Sequence, residues 1–320
     1  MQNQVTWAAM VLALVLVAAC GSDTRGTGGQ TEGDSELTPH VVELRAVGKT
    51  FEGPSEIPSG WTTFEFVNAS GMIHFALIDV PPEGVTAREM SDTIMQPFQD
   101  AMDAMNAGDE AGVNAAFARF PAWIAELGRM GGPGFLSPGR VGRTTVYLEP
   151  GHYVIECYVK SDGVFHTTSP GAGQLGMIMD LTVTDARNGA PEPVADATLA
   201  VRNSGLELVD GELVPGTNTI RVDFVEQQAL PSFVGNDVHL MRVDDADDIA
   251  EVNAWMDWRT ANGLEDPAPA VFLGGINDLP AGSHGYFTVE LVPGDYAFVA
   301  EMPDPRGSGF VLPFSVAAKP

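Results

Sequence analysis

The chain carries two cysteines, Cys20 and Cys157. Cys20 closes an apolar leader, which leaves Cys157 with no disulfide partner. Cys157 stands late in a strand-like run, Gly151-His152-Tyr153-Val154-Ile155-Glu156-Cys157, and is followed by His166 and Met177. A thiol, an imidazole and a thioether in that order are the soft donors that copper prefers. Each also has a structural reading. Free cysteine is commonly a small buried hydrophobe, and methionine an ordinary packing residue. His166 sits among Asp162, Gly163, Thr167, Thr168 and Ser169, which reads as an exposed loop.

The elements that must position these groups occur twice. The first copy runs through Ile57-Pro58-Ser59-Gly60-Trp61-Thr62-Thr63-Phe64-Glu65-Phe66 to His74-Phe75-Ala76-Leu77. It closes on Val146-Tyr147-Leu148-Glu149-Pro150-Gly151-His152-Tyr153-Val154-Ile155. The second runs through Leu213-Val214-Pro215-Gly216-Thr217-Asn218-Thr219-Ile220 to His239-Leu240-Met241-Arg242 and closes on Val289-Glu290-Leu291-Val292-Pro293-Gly294-Asp295-Tyr296-Ala297-Phe298. Period-2 alternation predicts strands, with Tyr153, Ile155 and Cys157 on one face and Val154 and Glu156 on the other. Tyr296, Phe298 and Ala300 take the matching face of the second copy. A tyrosine just after a Pro-Gly turn resembles the tyrosine corner of Greek-key sandwiches.

Each copy has an excursion of different character. Between Thr86 and Met130 apolar residues recur at three and four: Met90, Ile94, Phe98, Met102, Met105, Val113, Phe117 and Ile124. This predicts amphipathic helices whose methionines pack a core rather than bind metal. Asp247 to Asn262 is the shorter counterpart. Asp244-Asp245-Ala246-Asp247-Asp248 lacks a calcium loop's spacing and glycine, and suits a helix start. Gly131-Gly132-Pro133-Gly134 reads as a turn.

With these residues in view, the first copy resembles the cupredoxins, the blue-copper β-sandwich family. The resemblance covers about residues 40–185, with a weaker echo over 195–317. It implies a mainly β fold of two tandem Greek-key β-sandwiches, each with a helical insertion, divided as 39–190 and 191–320. It implies a copper ligand set of His74, Cys157, His166 and Met177, with Met179 as an alternative axial donor, and a role in copper binding or electron transfer. Nine positions separate Cys157 from His166 and eleven separate His166 from Met177. These intervals exceed those of electron-transfer cupredoxins, and longer loops hold a site less rigidly. In the second copy His239 aligns with His74, but Ala300 replaces Cys157, so that copy is expected to be degenerate and metal-free. A metal-free binding or scaffold role for the whole chain is the alternative.

Residues Trp7 to Ala19 are apolar but too short to span a membrane, and end in Val17-Ala18-Ala19-Cys20. This resembles a bacterial lipoprotein signal over 1–20 with lipidation at Cys20, followed by a flexible tether over 21–38. The expectation is an exported protein, periplasmic or at the cell surface, anchored through lipid. Acidic residues outnumber basic ones 43 to 16, a net charge of −27. With no basic face to neutralise phosphates, nucleic acid is not an expected partner, while a redox or other protein partner stays open. There is no nucleophile elbow, no His-Glu-x-x-His and no phosphate-binding glycine loop, so an enzyme is not expected.

Overall fold

The computed structural model describes residues 38–228 and 234–318. The leader, the tether and Cys20 lie outside the described residues.

Ten strands make the first half: β1 (His40–Val47), β2 (Thr50–Glu52), β3 (Glu56–Asn68), β4 (Leu77–Val80), β5 (Gly128–Arg129), β6 (Val141–Leu148), β7 (Gly151–Glu156), β8 (Lys160–Ser161), β9 (Val164–Phe165) and β10 (Ile178–Arg187). Alternating apolar residues in β1 and β3 set the register: Val42 opposes Phe64 and Leu44 opposes Phe66, all buried. Antiparallel β6 completes this layer. The facing layer is β10-β7-β4-β5. β3 serves both layers. Its first residues pair parallel with β10, and the rest pair with β1 and β6. At the passage between layers Gly60 has φ +121°, and a Cβ there would run into Asn188.

The second half repeats this pairing with β11 (Ala197–Arg202), β12 (Gly205–Gly211), β13 (Gly216–Phe224), β14 (Val238–Val243), β15 (Phe272–Ile276), β16 (Ser283–Leu291), β17 (Gly294–Val299) and β18 (Val311–Val316). One strand of each half pairs antiparallel to its successor and parallel to the next, β1 with β2 and β3, β11 with β12 and β13. β14 pairs with β15 and β17 as β4 pairs with β5 and β7. The fold is thus mainly β, with two cupredoxin-like Greek-key sandwiches in tandem. Both tyrosine corners form. The Tyr153 hydroxyl donates to the Glu149 carbonyl at 2.8 Å, and Tyr296 to the Val292 carbonyl at 2.8 Å.

A shared sheet joins the halves, because β16 pairs antiparallel with β6. The segment expected to be a turn at Gly131–Gly134 is instead an extended crossing. The Gly131 N–H donates to the Asp278 carbonyl and the Gly134 N–H to the Gly275 carbonyl. Leu136 bridges both His74 and Leu273. The glycines are there for closeness: a Cβ on Gly132 would strike the Ala76 carbonyl, and one on Gly134 would meet His239.

The helical insertion begins at α1 (Ala87–Met90), capped by the Thr86 hydroxyl, and passes through one π-turn at Ser91–Met95 into α2 (Gln96–Asn106) and α3 (Glu110–Phe117). Met90, Ile94 and Met95 pack on Val154 and Ile178, the outer face of the β7–β10 layer. Met102 joins the main core. The methionines are core residues, as the helical spacing implies. In the second half the helix is shorter than the predicted span, α4 (Asp248–Trp255), and Asp248 Oδ2 accepts from the Asp244 and Asp245 N–H groups at its start.

Candidate metal centre

Cys157 directly follows β7. His74 lies just before β4, outside a regular strand, held by its backbone pairing with Leu136. Apart from the single bridge at His74, the chain is irregular from Ser70 to Ala76, and β4 starts at Leu77.

The structure brings His74, Cys157 and His166 together. One ligating atom from each lies within 4.8 Å of the other two, and all three residues are buried. Cys157 Sγ is 3.5 Å from His74 Nδ1, and the two imidazole centroids are 4.9 Å apart. His166 is 2% exposed, so its reading as part of an exposed loop is overturned. The physical reason is a hairpin. β8 and β9 turn at Asp162-Gly163, both at positive φ, a signature that Asp-Gly carries in sequence. That hairpin folds the nine-position interval back on itself.

The length of the two loops is offset by backbone pairing. The His166 N–H donates to the Val159 carbonyl, the Met177 N–H to the His166 carbonyl, and the Cys157 N–H to the Met177 carbonyl. Three candidate donors are thereby tied through their own main chains. Gly176, just before Met177, packs against the Thr167 carbonyl so closely that a Cβ has no room. Gln99 of α2 clamps the hairpin, accepting from the Phe165 N–H at 2.9 Å and donating to the Gly163 carbonyl at 3.1 Å. Arg88 donates to the Gly173 and Gln174 carbonyls of the second loop. The helical insertion therefore braces both loops.

Met177 is fully buried beside this triad, whereas Met179 is half-buried and opposite Ile155 in the β7–β10 pairing. The burial and the backbone link to Cys157 favour Met177 over Met179.

One polar side chain here, Ser161, was not legible beforehand. Ser161 Oγ lies 2.7 Å from His166 Nε2 and 3.3 Å from Met72 Sδ. With Nε2 engaged by Ser161, the other nitrogen, Nδ1, is left to face the cluster. His166 Nδ1 and His74 Nε2 are buried with no hydrogen-bond partner. A buried imidazole nitrogen without a partner is costly.

Burial dominates the electrostatics. It lowers His74 to about 4, opposed by the Gly48 backbone and helped by the Lys49 charge, and lowers His166 to about 2, helped by His74 and Lys49. Both rings are neutral at physiological pH, the form that ligates. Burial pushes the Cys157 thiol up to about 12. Without a cation the sulfur stays protonated, so a metal would have to displace that proton. The donor set of one thiol and two neutral imidazoles, with Met177 tied to them through its backbone, fits copper.

No family model matches the chain, and no curated protein matches it. Among solved structures it is similar to auracyanin A, a "blue" copper protein from Chloroflexus aurantiacus, at 19% identity over 46% of this chain and 99% of that one, TM-score 0.26. Reduced auracyanin from Roseiflexus castenholzii is 24% identical over 46% of this chain and 98% of that one, TM-score 0.23. Copper nitrite reductase from Nitrosomonas europaea is 12% identical over 88% of this chain and 95% of that one, TM-score 0.22. The fold stands on the strand pairing described above, and the site on its own geometry.

The second half offers a contrast at the equivalent place. The Ala300 N–H donates to the Phe310 carbonyl as the Cys157 N–H donates to that of Met177. Ala300 thus replaces Cys157, and Phe310 stands where Met177 does. His239 has both nitrogens occupied: Nδ1 accepts from the Phe135 N–H at 3.1 Å, which leaves Nε2 as the donor to Asp237 Oδ2 at 2.8 Å. Asp237, His239 and Glu301 form a buried cluster, but its histidine has no free nitrogen.

Proposed function

We propose that the first half is a copper-binding module for electron transfer, with His74, Cys157 and His166 as ligands and Met177 as a weaker fourth donor. The observation that carries this reading is the buried convergence of thiol and two imidazoles, with a nitrogen of each ring left without a partner. Bound copper would supply a one-electron couple. The chain's own part is to keep both imidazoles neutral, shield the sulfur from solvent and hold the loops through Gln99, Arg88 and Ser161. The second half binds no metal by this route and acts as the scaffold against which the first half packs. We further propose that the protein acts as an exported carrier rather than an enzyme, tethered through Cys20 to a membrane and meeting a protein partner rather than nucleic acid. Among the described residues no helix is long and apolar enough to cross a membrane.

One observation favours a second reading. His239 shows that this fold can bury a histidine next to the same layer for structure alone, so a metal-free scaffold lipoprotein is the alternative. Copper titration of the purified protein separates the two. The copper reading expects one equivalent bound, with an intense thiolate-to-copper absorption in the visible that Cys157→Ser removes. Absence of that band in the unmutated protein leaves the scaffold reading. Cys20→Ala is expected to release the protein from the membrane fraction.

A further inference from the structure

A cavity of about 410 Å³ lies on the face of β7 opposite Cys157. Its size is that of a site for a small organic molecule. The helical insertion and the second half roof it. Ile94, Met95, Phe98, Phe165, Trp258 and Leu279 supply apolar and aromatic walls, and Arg129, Glu156, Tyr158 and Asp278 supply a polar floor. The cavity and the candidate metal centre share backbone: Glu156 and Tyr158 flank Cys157, and Phe165 and Thr167 flank His166.

The floor has too few cations for its carboxyls. Arg129 is the one basic side chain that lines the cavity among the described residues, and it is already ion-paired with Asp79. Glu156 and Asp278 also line the cavity near that guanidinium, so three buried carboxyls share one cation. Glu156 is 4% exposed, and its Oε2 has no hydrogen-bond partner. The Tyr158 hydroxyl is spent on Glu301, at 3.2 and 3.1 Å from its two oxygens. An anionic ligand would meet surplus carboxyls and a guanidinium already engaged. A cation would meet Glu156 and Asp278, with the aromatic side chains of Phe98 and Trp258 in the wall; the Phe165 ring already carries Lys160 Nζ 5.6 Å from its centroid. Asp278, raised to about 7 by burial despite the nearby Arg129, is poised to ionise when a positive charge arrives.

We propose that this cavity binds an organic amine, a protonated ammonium on an aromatic or branched apolar body, with the ammonium between Glu156 and Asp278 and the body among Ile94, Phe98, Phe165 and Trp258. The cavity and the Cys157 centre lie on opposite faces of β7.

Three probes of one shape test the charge: tryptamine, 3-ethylindole and indole-3-propionate. Each is titrated calorimetrically into the full chain, with and without copper. The expected result is saturable binding of tryptamine, about tenfold tighter than 3-ethylindole, with no binding of the acid. Asp278→Asn is expected to remove most of that tenfold preference. Ile94→Trp, which fills the cavity from its roof, is expected to remove tryptamine binding while a thermal melt shows the fold intact. Equal or tighter binding of 3-ethylindole or the acid overturns the proposal, as does failure of all three to bind. So does tryptamine binding that survives both Ile94→Trp and Asp278→Asn in folded protein, since the amine would then sit elsewhere.

Discussion

Each half buries a histidine near the start of corresponding strands, and the two are used oppositely. By register His239 matches Leu77, three positions past His74, because His239 opposes Val299 as Leu77 opposes Glu156. His239 is saturated: Asp237 takes one nitrogen, and the Phe135 N–H, which crosses from the first half, takes the other. His74 is unsaturated. One nitrogen faces Cys157 Sγ at 3.5 Å and the other has no partner. Burying a histidine in this sandwich therefore does not require a reactive donor. A buried ring can be stabilised by a carboxylate and a backbone amide, and the second half does so. In the first half the same polarity is left over, and a metal would use it.

The sharpest way to break this comparison is to remove each histidine by leucine. His74→Leu is expected to abolish the visible copper band and weaken copper binding by more than about a hundredfold, because a direct ligand should count for more than a supporting partner. Its effect on stability should be small, since no strong hydrogen bond is lost. His239→Leu should do the reverse. Copper binding persists, but about 3 kcal/mol of stability is lost, because Asp237 is left as a buried carboxylate without its partner. Titration with copper and denaturant unfolding of both variants decide it. Equal stability losses with copper binding untouched in both would reduce His74 to a structural residue.

The pH dependence sharpens the same contrast. Copper must displace the Cys157 proton, and the thiol stays protonated up to about 12. Between about pH 6.5 and 9 copper affinity should therefore rise about tenfold per pH unit. His74, at about 4, adds no slope there because it is already neutral. The histidines affect the metal-free protein differently. Their folded values lie below the unfolded 6.5, so the unfolded chain binds protons first. Stability contributed by neutral burial is present above 6.5 and is lost as pH falls toward 4 and below. A pH-independent copper affinity would mean that the thiol is not a ligand.

Each histidine also has its own support. Asp237 orients His239, and Ser161 orients His166. Ser161→Ala should lower copper affinity about tenfold, within the range for losing a partner that orients a ligand. It should also shift the visible band, and a merely structural serine would not. Asp237→Asn should leave the band unchanged. If both variants moved the band alike, the division of labour between halves would be wrong.

Much of this was legible in the chain because the repeat is strong. Pro-Gly-x-Tyr turns and period-2 strands place both tyrosine corners, and the helical spacing of Met90, Ile94 and Met102 marks them as core. The candidate donors His74, Cys157, His166 and Met177 were visible as residue types in an order. Their convergence was not. The interval to His166 looks like a slack loop until the Asp162-Gly163 turn is read as a hairpin, and the hairpin is clamped by Gln99, 66 positions from Phe165. Gly131–Gly134 looked like a turn because Gly-Pro-Gly is turn chemistry, but here the missing side chains let one half's backbone lie against the other's. Contacts of that range leave no local pattern. The role of Ser161 was hidden for a related reason, since a serine in a polar hairpin has many uses until its neighbours are known.

The smallest expected effect tests whether the halves are equivalent where no metal is concerned. Tyr153→Phe removes one hydrogen bond, to the Glu149 carbonyl. Tyr296→Phe removes the bond to the Val292 carbonyl and also leaves the Val292 N–H, which donates to the same hydroxyl at 3.2 Å, without its acceptor. Each ring stays buried in the same place, so packing is unchanged and the difference isolates the hydroxyl. A single neutral hydrogen bond contributes about 1 kcal/mol, so Tyr153→Phe should cost about that and Tyr296→Phe somewhat more. Denaturant midpoints at constant slope would show it, and the copper band should be the same in both variants. A band altered by Tyr153→Phe alone would mean that the corner at the start of β7 also fixes Cys157 at its end. The tyrosine would then be part of what separates the two halves rather than part of what they share.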